Sequence, residues 1–269
     1  MEEVTRFAPS PTGWLHLGHA HAALFARRLG RRCLLRIEDI DAARCRPAFA
    51  EALREDLDWL GLAFDGPVRV QSAHMAEYAA ALEALRVRGL LYPCFCTRAD
   101  IAAAASAQHG PSGLVYPGTC RGRPDAAALL AQGAAHAWRL DVARSVATTG
   151  PLSFQERGEG RLPCDPRPHG DVVLARKDVP ASYHLCVAHD DAAQGVTCVT
   201  RGEDLRPATA IHRLLQALLG WPEPRYAHHR LLAGPDGRRL AKRDGAPSLR
   251  ALRAAGHSPA AVRAMAGPA

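Results

Sequence analysis

Lysine is almost missing from this chain of 269 residues. Of the 34 side chains that are lysine or arginine, only Lys177 and Lys242 are lysines. The imbalance runs through the whole sequence, so it reflects composition and not a local function. A lysine that falls inside a motif is therefore more informative than an arginine would be.

Other features are lacking as well. No stretch reaches the about 18 consecutive apolar residues that a membrane-spanning helix needs. The first residues, Met-Glu-Glu-Val, are acidic where a secretory signal is basic. We also find no serine-based catalytic triad and no phosphate-binding loop with its lysine. We therefore expect a soluble, cytoplasmic protein that has neither kind of site.

What the chain does contain suits a globular protein. Apolar residues make up 48% of it, enough to bury the core of one large domain or two modest ones. The formal net charge of +7 favours a polyanionic partner such as nucleic acid, although such a charge also serves solubility. Without a secretion signal, the eight cysteines indicate reduced thiols or a metal site. We expect the scattered ones to be buried small apolar residues, namely Cys33, Cys45, Cys164, Cys186 and Cys198.

The N-terminal stretch carries the strongest pattern. Residues 4–7 predict a short strand, Pro9, Pro11 and Gly13 a turn, and residues 17–29 a helix. The first turn of a helix presents unpaired N–H groups and a positive dipole end, which favour a phosphate. The spacing of His16 and His19 puts both imidazoles on one face of that turn. We therefore expect a nucleotide here.

The rest of the chain alternates strands and helices. We predict strands over 32–37, 138–142, 153–155, 171–176 and 195–200, a short strand or turn over 226–232, helices over 47–60, 74–88, 182–187 and 209–219, and an exposed loop over 157–170. Glu38 and Arg201 each stand at a strand terminus, where an open α/β sheet binds its ligands. The order predicts an α/β fold with a doubly wound parallel sheet.

Residues 90–150 differ in character. Cys94 and Cys96 are separated by one residue, and Cys120 follows 24 positions later. Three thiolates could bind zinc if the chain supplies a fourth ligand. His109 is one candidate for that ligand.

Several motifs, taken in order, resemble one family. His16-Leu-Gly-His19 resembles the HIGH signature of class I aminoacyl-tRNA synthetases, and Arg6-Phe-Ala-Pro-Ser-Pro-Thr-Gly is similar to the form it takes in the glutamyl and glutaminyl subgroup. Four further stretches agree with that subgroup: Arg36 to Asp41, Tyr183 to Asp191, Val199 to Asp204 and Arg239 to Arg243. The last resembles the KMSKS loop, although Arg239 and Ala241 depart from it. The resemblance covers residues 4–245.

This resemblance implies a Rossmann-type catalytic domain in two halves, residues 1–90 and 171–269, with a zinc-binding insertion at 91–170 and a short helical tail. It implies a catalytic set of His16, His19 and Lys242, which together with Gly18 would bind ATP. It implies a glutamate site of Arg6, Phe7, Ala8, Pro9, Ser10, Glu38, Tyr183 and Arg201. It implies one structural zinc ion on Cys94, Cys96, Tyr116 and Cys120, with Tyr116 ranked above His109, and Mg²⁺ with ATP.

Only 27 residues follow Lys242, which leaves no room in this sequence for an anticodon-reading domain. A core of this kind that keeps the cysteine pattern resembles the glutamyl-queuosine tRNA(Asp) synthetase family. The resemblance implies a ligase that activates L-glutamate with ATP without tRNA and transfers it to the queuosine base of tRNA(Asp). The alternatives are a truncated synthetase that charges tRNA(Glu), or an inactive relative that binds amino acid or RNA. We expect a monomer.

Overall fold

The computed structural model describes residues 2–104, 109–111, 113–232 and 247–267. Two compact units share the chain. Unit 1 contains Met1–Ala73, Gly195–Arg206 and Pro224–Ala269, and unit 2 contains His74–Gln194 and Pro207–Glu223. Within the described ranges, no helix is long and apolar enough to cross a membrane.

The secondary structure of the described residues is mixed. The helices are α1 Leu17–Leu29, α2 Pro47–Trp59, α3 Met75–Val87, α4 Arg98–Ala104, α5 Ala126–Ala131, α6 Val142–Thr149, α7 Tyr183–Ala193, α8 Thr209–Leu219, α9 Leu249–Ala254 and α10 Pro259–Met265. The strands are β1 Val4–Phe7, β2 Arg32–Ile37, β3 Arg69–Val70, β4 Leu91–Cys94, β5 His109–Gly110, β6 Gly113–Leu114, β7 Ala137–Leu140, β8 Leu152–Glu156, β9 Gly160–Cys164, β10 Val173–Ala175, β11 Cys198–Gly202 and β12 Arg225–His229.

Parallel strands form the centre of unit 1. Strand β2 lies between β1 and β3 and pairs with both in parallel. Strands β11 and β12 form a second parallel pair. The Thr197 amide donates to the Val4 carbonyl at 2.9 Å and the Arg6 guanidinium to the Thr200 carbonyl at 2.7 Å, so β1 and β11 run side by side in one direction. The predicted parallel α/β sheet is confirmed.

Helices cover this sheet and complete its core. Leu15, Leu35 and Leu57 are buried together with Leu249 and Val262 of the last two helices. The short C-terminal segment is therefore part of the core of unit 1. Helix α1 ends at Gly30, where an added Cβ would lie 2.1 Å from the Thr5 hydroxyl oxygen, so only glycine allows this approach of helix to strand.

Unit 2 combines antiparallel strands with helices. Strand β7 pairs antiparallel with β4 and β10, and β8 forms an antiparallel hairpin with β9. Helix α8 packs against α6 and α7. The buried apolar side chains of unit 2 include Leu85, Leu140, Leu174, Leu185, Ile211 and Leu214.

Several sequence predictions need correction. The expected loop at 157–170 contains strand β9, because Gly158 and Gly160 adopt positive φ angles and turn the chain back onto β8. Helix α7 continues beyond the predicted end at residue 187 as far as Ala193, since no residue that breaks a helix occurs before Gly195. Cys45 and Cys164 are only half-buried. The domain boundaries after residues 90 and 170 stay a prediction.

Candidate active site and metal centre

The carboxyl ends of the parallel strands meet at one edge of the unit 1 sheet. Residues 8–10 follow β1, Glu38 follows β2, and Arg201 lies near the end of β11. The turn that follows β1 leads into helix α1. The structure therefore brings Arg6, Ser10, Glu38 and Arg201 to the edge where open parallel sheets bind ligands.

The two histidines of the HIGH-like motif close the first turn of α1 with their own side chains. His16 is the N-cap, and its Nδ1 accepts a hydrogen bond from the Gly18 amide at 3.1 Å. The Nδ1 of His19 accepts from the His16 amide at 3.2 Å, and the ring centroids lie 3.9 Å apart. A ring nitrogen that accepts carries no proton, so each neutral ring bears its proton on Nε2. The turn therefore has two imidazole N–H donors.

Glu38 is oriented by a buried arginine. The backbone amide of Glu38 donates to the Pro9 carbonyl at 3.0 Å, which ties the end of β2 to the turn after β1. Its Oε1 accepts from Nε and Nη2 of Arg36 at 3.3 and 3.2 Å. The Arg36 side chain is fully buried and the Glu38 side chain is 10% exposed. Charge pairing in a site that excludes water fixes the direction of the carboxylate.

Arg201 is held by the strand next to it. It lies in register with His228 of β12, and its Nε donates to His228 Nε2 at 3.2 Å. Its guanidinium carbon lies 5.4 Å from the centroid of the Tyr226 ring, a cation–π contact. Burial, together with the positive charges of Arg201 and Arg206, lowers the pKa of His228 to about 3.

The remaining residues of the predicted glutamate site are partly in unit 1 and partly in unit 2. Phe7 is buried and stacks on Phe64 at a centroid distance of 6.2 Å. Pro9 is buried, Ala8 half-buried and Ser10 exposed. Tyr183, the first residue of α7, belongs to unit 2 and is 37% exposed.

Three cysteines and a tyrosine converge in unit 2. Cys94 ends β4, and the sulfur atoms of Cys94, Cys96 and Cys120 all lie within 4.8 Å of one another. The Tyr116 hydroxyl is 3.4 Å from the Cys94 sulfur and 3.6 Å from that of Cys96, while Cys96 and Cys120 are 3.5 Å apart. A tetrahedral ion 2.3 Å from each sulfur would separate the sulfurs by about 3.8 Å. The four donor atoms therefore fit a tetrahedral metal ion.

Charged side chains surround this cluster. The Arg139 guanidinium lies 3.7 Å from the Tyr116 ring centroid and donates to the backbone carbonyl of Asp171. The Asp171 carboxylate accepts from Arg121, next to Cys120, and from the amide of Val142 at the start of α6. Burial raises the pKa of Cys120, but bonds from the Tyr116 hydroxyl and the backbone outweigh it and lower that pKa to about 7. At Cys120 the surroundings therefore favour the thiolate, the form that binds metals, whereas burial raises the pKa of the Cys96 thiol and of the Tyr116 hydroxyl.

Two predicted residues cannot be placed. Lys242, with the whole KMSKS-like stretch 239–243, lies outside the described residues. The backbone of His109 belongs to β5, but its side chain is not described. The strand that precedes the KMSKS-like stretch and the helix that follows it are described, and the backbone of Ser248 bridges to His16.

One family model matches nearly the whole chain. The model for the catalytic domain of class I tRNA synthetases (E and Q) matches residues 3–266. This chain belongs to that family. As a class I synthetase it is 52% identical to the Glutamyl-Q tRNA(Asp) synthetase of Rhodobacter capsulatus, over 98% of this chain and 99% of the relative. It is 48% identical to the protein of the same name from Nocardia farcinica, over 97% of this chain and 82% of that relative.

Solved structures agree with this family. The glutamate tRNA ligase of Elizabethkingia meningosepticum, in complex with its amino acid, has a TM-score of 0.74 and 28% identity to this synthetase. The match covers 91% of this chain and 53% of the ligase chain, so this synthetase spans about half of that protein's length. These likenesses and the parallel sheet confirm the predicted fold class, a Rossmann-type α/β domain of the class I synthetases.

Sequence reasoning missed three features of the site in this synthetase, namely two partner residues and one capping role. Arg36 stood inside a quoted motif, and a buried arginine two residues before a carboxylate could have been recognised as its partner. The capping role of His16 and His19 could also have been found, since a polar residue three positions before another defines a capping box. No local signal links His228 to Arg201, because the two residues are 27 positions apart.

Proposed function

We propose that this synthetase activates L-glutamate with ATP, without tRNA, and transfers the glutamyl group to the queuosine base of tRNA(Asp). The observation that carries the proposal is the 52% identity to a Glutamyl-Q tRNA(Asp) synthetase over 98% of this chain and 99% of that one. The name of that relative states both the amino acid and the RNA. The chemistry of the sheet edge supports the same choice.

The first step forms an acyl phosphate. An oxygen of the glutamate α-carboxylate attacks the α-phosphorus of ATP, the bond from that phosphorus to the bridging oxygen breaks, and pyrophosphate leaves. Such a transfer needs positioning and stabilisation of the charge that grows on the phosphate oxygens. The Nε2–H groups of His16 and His19 supply donors for that charge, and Gly18, which has no side chain, lets the nucleotide approach the backbone closely. Mg²⁺ would arrive with ATP and neutralise its phosphates.

The glutamate site follows from charge matching. The Glu38 carboxylate, oriented by Arg36, pairs with the α-ammonium group of the substrate. The Arg201 guanidinium binds the side-chain carboxylate in the planar, two-bond geometry that lysine cannot offer. Arg6, Phe7, Ala8, Pro9, Ser10 and Tyr183 complete the site by resemblance.

Lys242 acts in the same step by resemblance to the KMSKS lysine, as a cation that binds the phosphates. Because it acts on the transition state, Lys242→Ala should slow glutamate-dependent ATP–pyrophosphate exchange by about 100-fold and change glutamate affinity little. The other lysine is a matched control: Lys177 donates to the Phe95 carbonyl at 2.7 Å in unit 2. Lys177→Ala should leave exchange unchanged. Equal losses of exchange and glutamate affinity in Lys242→Ala would assign that loop a purely structural role.

We propose one structural zinc ion on Cys94, Cys96, Cys120 and Tyr116. The sulfur and hydroxyl distances of 3.4 to 3.6 Å support a tetrahedral ion, and thiolates favour zinc. A bound ion draws electron density from its ligands, which makes a tyrosine oxygen an acceptable fourth donor. The zinc would fix the fold of this segment and take no part in the transfer.

The second step moves the glutamyl group from the adenylate to a hydroxyl group of the cyclopentenediol ring of queuosine, and AMP leaves. We place the reaction in the cytoplasm, where the chain would act as a monomer. The experiment that tests the function supplies radiolabelled glutamate, ATP and Mg²⁺ with three RNAs: tRNA(Asp) with queuosine, tRNA(Asp) without it, and tRNA(Glu). Label on the first alone is the expected result. Label on tRNA(Glu) would identify a truncated glutamyl-tRNA synthetase, and no label or exchange would leave a binding protein.

A further inference from the structure

His228 and Tyr226 form a seat for Arg201 on the neighbouring strand. Residues two apart on a strand point to the same face, so both side chains of β12 face the arginine that pairs with it. Their rings are stacked, with centroids 6.1 Å apart and 3° between the planes. His228 Nε2 accepts the Nε–H of Arg201 at 3.2 Å, and the guanidinium carbon lies 5.4 Å from the Tyr226 ring. One hydrogen bond and one ring face thus fix the guanidinium plane.

Burial and nearby charges keep the imidazole of His228 neutral. Burial opposes a proton on it most strongly, and the positive charges of Arg201, Arg206 and Arg6 act in the same direction. A histidine that is neutral can accept the Nε–H, whereas an imidazolium has only donors. The hydrogen bond to Arg201 is therefore maintained across the physiological pH range.

We infer that His228 is a positioning residue for recognition of the glutamate side chain, which it serves by holding Arg201 through a neutral acceptor. This inference rests on the proposed function, in which Arg201 binds the side-chain carboxylate.

His228 differs from the carboxylates that usually orient an arginine because it is neutral. A carboxylate at this position would also orient Arg201, but it would neutralise the charge that attracts the substrate. A neutral histidine orients the arginine without adding a negative charge that would compete with the ligand. The contrast with Glu38 is direct, because there the functional group is the carboxylate and the buried arginine is the support.

Three substitutions test this role by glutamate-dependent ATP–pyrophosphate exchange and by calorimetric titration of glutamate alone. His228→Leu removes the acceptor and should raise the KM and Kd for glutamate by about tenfold, with kcat and the KM for ATP within about threefold of wild type. His228→Gln keeps a neutral acceptor and should restore most of the affinity. His228→Glu should raise the KM and Kd beyond those of His228→Leu, because it adds a competing charge.

The controls separate this role from a loss of fold. The variants His228→Gln and His228→Glu place side chains of nearly the same shape at residue 228. The ratio of the KM values of these two variants therefore stays informative if His228→Leu does not fold. His229 is a buried neighbour that bonds the Arg230 carbonyl and contacts His21, so His229→Leu should leave the KM for glutamate unchanged. An active wild type with equal KM values in His228→Gln and His228→Glu would overturn the inference alone. A wild type that neither binds glutamate nor exchanges pyrophosphate would overturn the proposed function, and the inference with it.

Discussion

The HIGH-like turn and the cysteine cluster are two different solutions to bringing reactive side chains together. In the turn, four consecutive residues organise themselves, because each imidazole closes a hydrogen bond to a backbone amide of the same turn. In the cluster, the donor atoms come from residues 94 to 120 and meet through their side chains. The first site is built by local backbone geometry, and the second is completed, in our proposal, by a metal ion. Substitutions should therefore affect chemistry in the first and stability in the second.

The largest effect should come from His16→Asn. Asparagine is a good N-cap, so the start of α1 should keep its stability within about 0.5 kcal/mol. The Nε2–H donor is lost, and the loss of one donor to a developing charge costs about 100- to 1000-fold in kcat. Exchange kinetics and thermal unfolding of the same variant measure the two quantities. A large fall in unfolding temperature with little loss of rate would reverse the comparison.

The next effect should come from Cys120→Ser. Serine offers a hydroxyl group, which binds the metal more weakly than a thiolate. The metal affinity should fall by about 100-fold or more, because loss of a residue that only supports a ligand already costs about 10- to 100-fold. Metal content per chain and thermal unfolding should both fall, while exchange per folded molecule stays near that of wild type. Cys33→Ser is the matched control, because Cys33 is a buried cysteine of unit 1 that lies outside the cluster. Unchanged metal content in Cys120→Ser would exclude this site.

A smaller change should follow from Tyr116→Phe. Three thiolates remain, so we expect about a tenfold loss of metal affinity and retention of the ion at high concentration. Competition with a chelator measures the affinity. The phenylalanine ring keeps the contact with Arg139, so wild type and variant share the same packing and differ only in the hydroxyl group. Equal affinity in wild type and Tyr116→Phe would show that the fourth ligand is not Tyr116.

The smallest change concerns a buried carboxylate in unit 1, away from both sites. Among the described residues, Asp56 Oδ2 has no hydrogen-bond partner, and burial raises the pKa of Asp56 to about 6. The folded state therefore holds this proton more tightly than the unfolded state, so stability should fall as pH rises from about 4 to about 6. Asp56→Asn should add about 1 to 2 kcal/mol at pH 7.5 and little at pH 4. The exposed Asp58 is the control, and equal gains in Asp58→Asn would refute this origin.

The sequence predicted best the elements whose conformation depends on neighbouring residues alone. Helix α1 has the predicted bounds Leu17–Leu29, and α8 has Thr209–Leu219, because apolar spacing and flanking turn residues act within one segment. Strand β9 was missed because it contains glycine and proline, which are depleted in strands, and because its pairing with β8 determines its conformation.

Partners that are distant in sequence were beyond reach. The Arg201 to His228 bond depends on which strands become neighbours, and no property of either residue states that. The cysteine pattern indicated a metal, but the choice of Tyr116 came from family resemblance. Its position 3.4 Å from the Cys94 sulfur now gives that choice a geometric reason. The role of Lys242 remains a prediction from the motif alone.

The burial of the last two helices determines what would happen in a cell to a protein that had lost its C-terminus. Leu249, Leu252, Val262 and Ala266 are buried in the core around α1 and α2. A chain truncated before residue 249 would expose the apolar surface that these side chains cover, and proteases and chaperones act on such surface. A premature stop codon in this region should therefore lower the abundance of the protein before any question of RNA recognition arises. Quality control, and not catalysis, would be the first selective pressure on this tail.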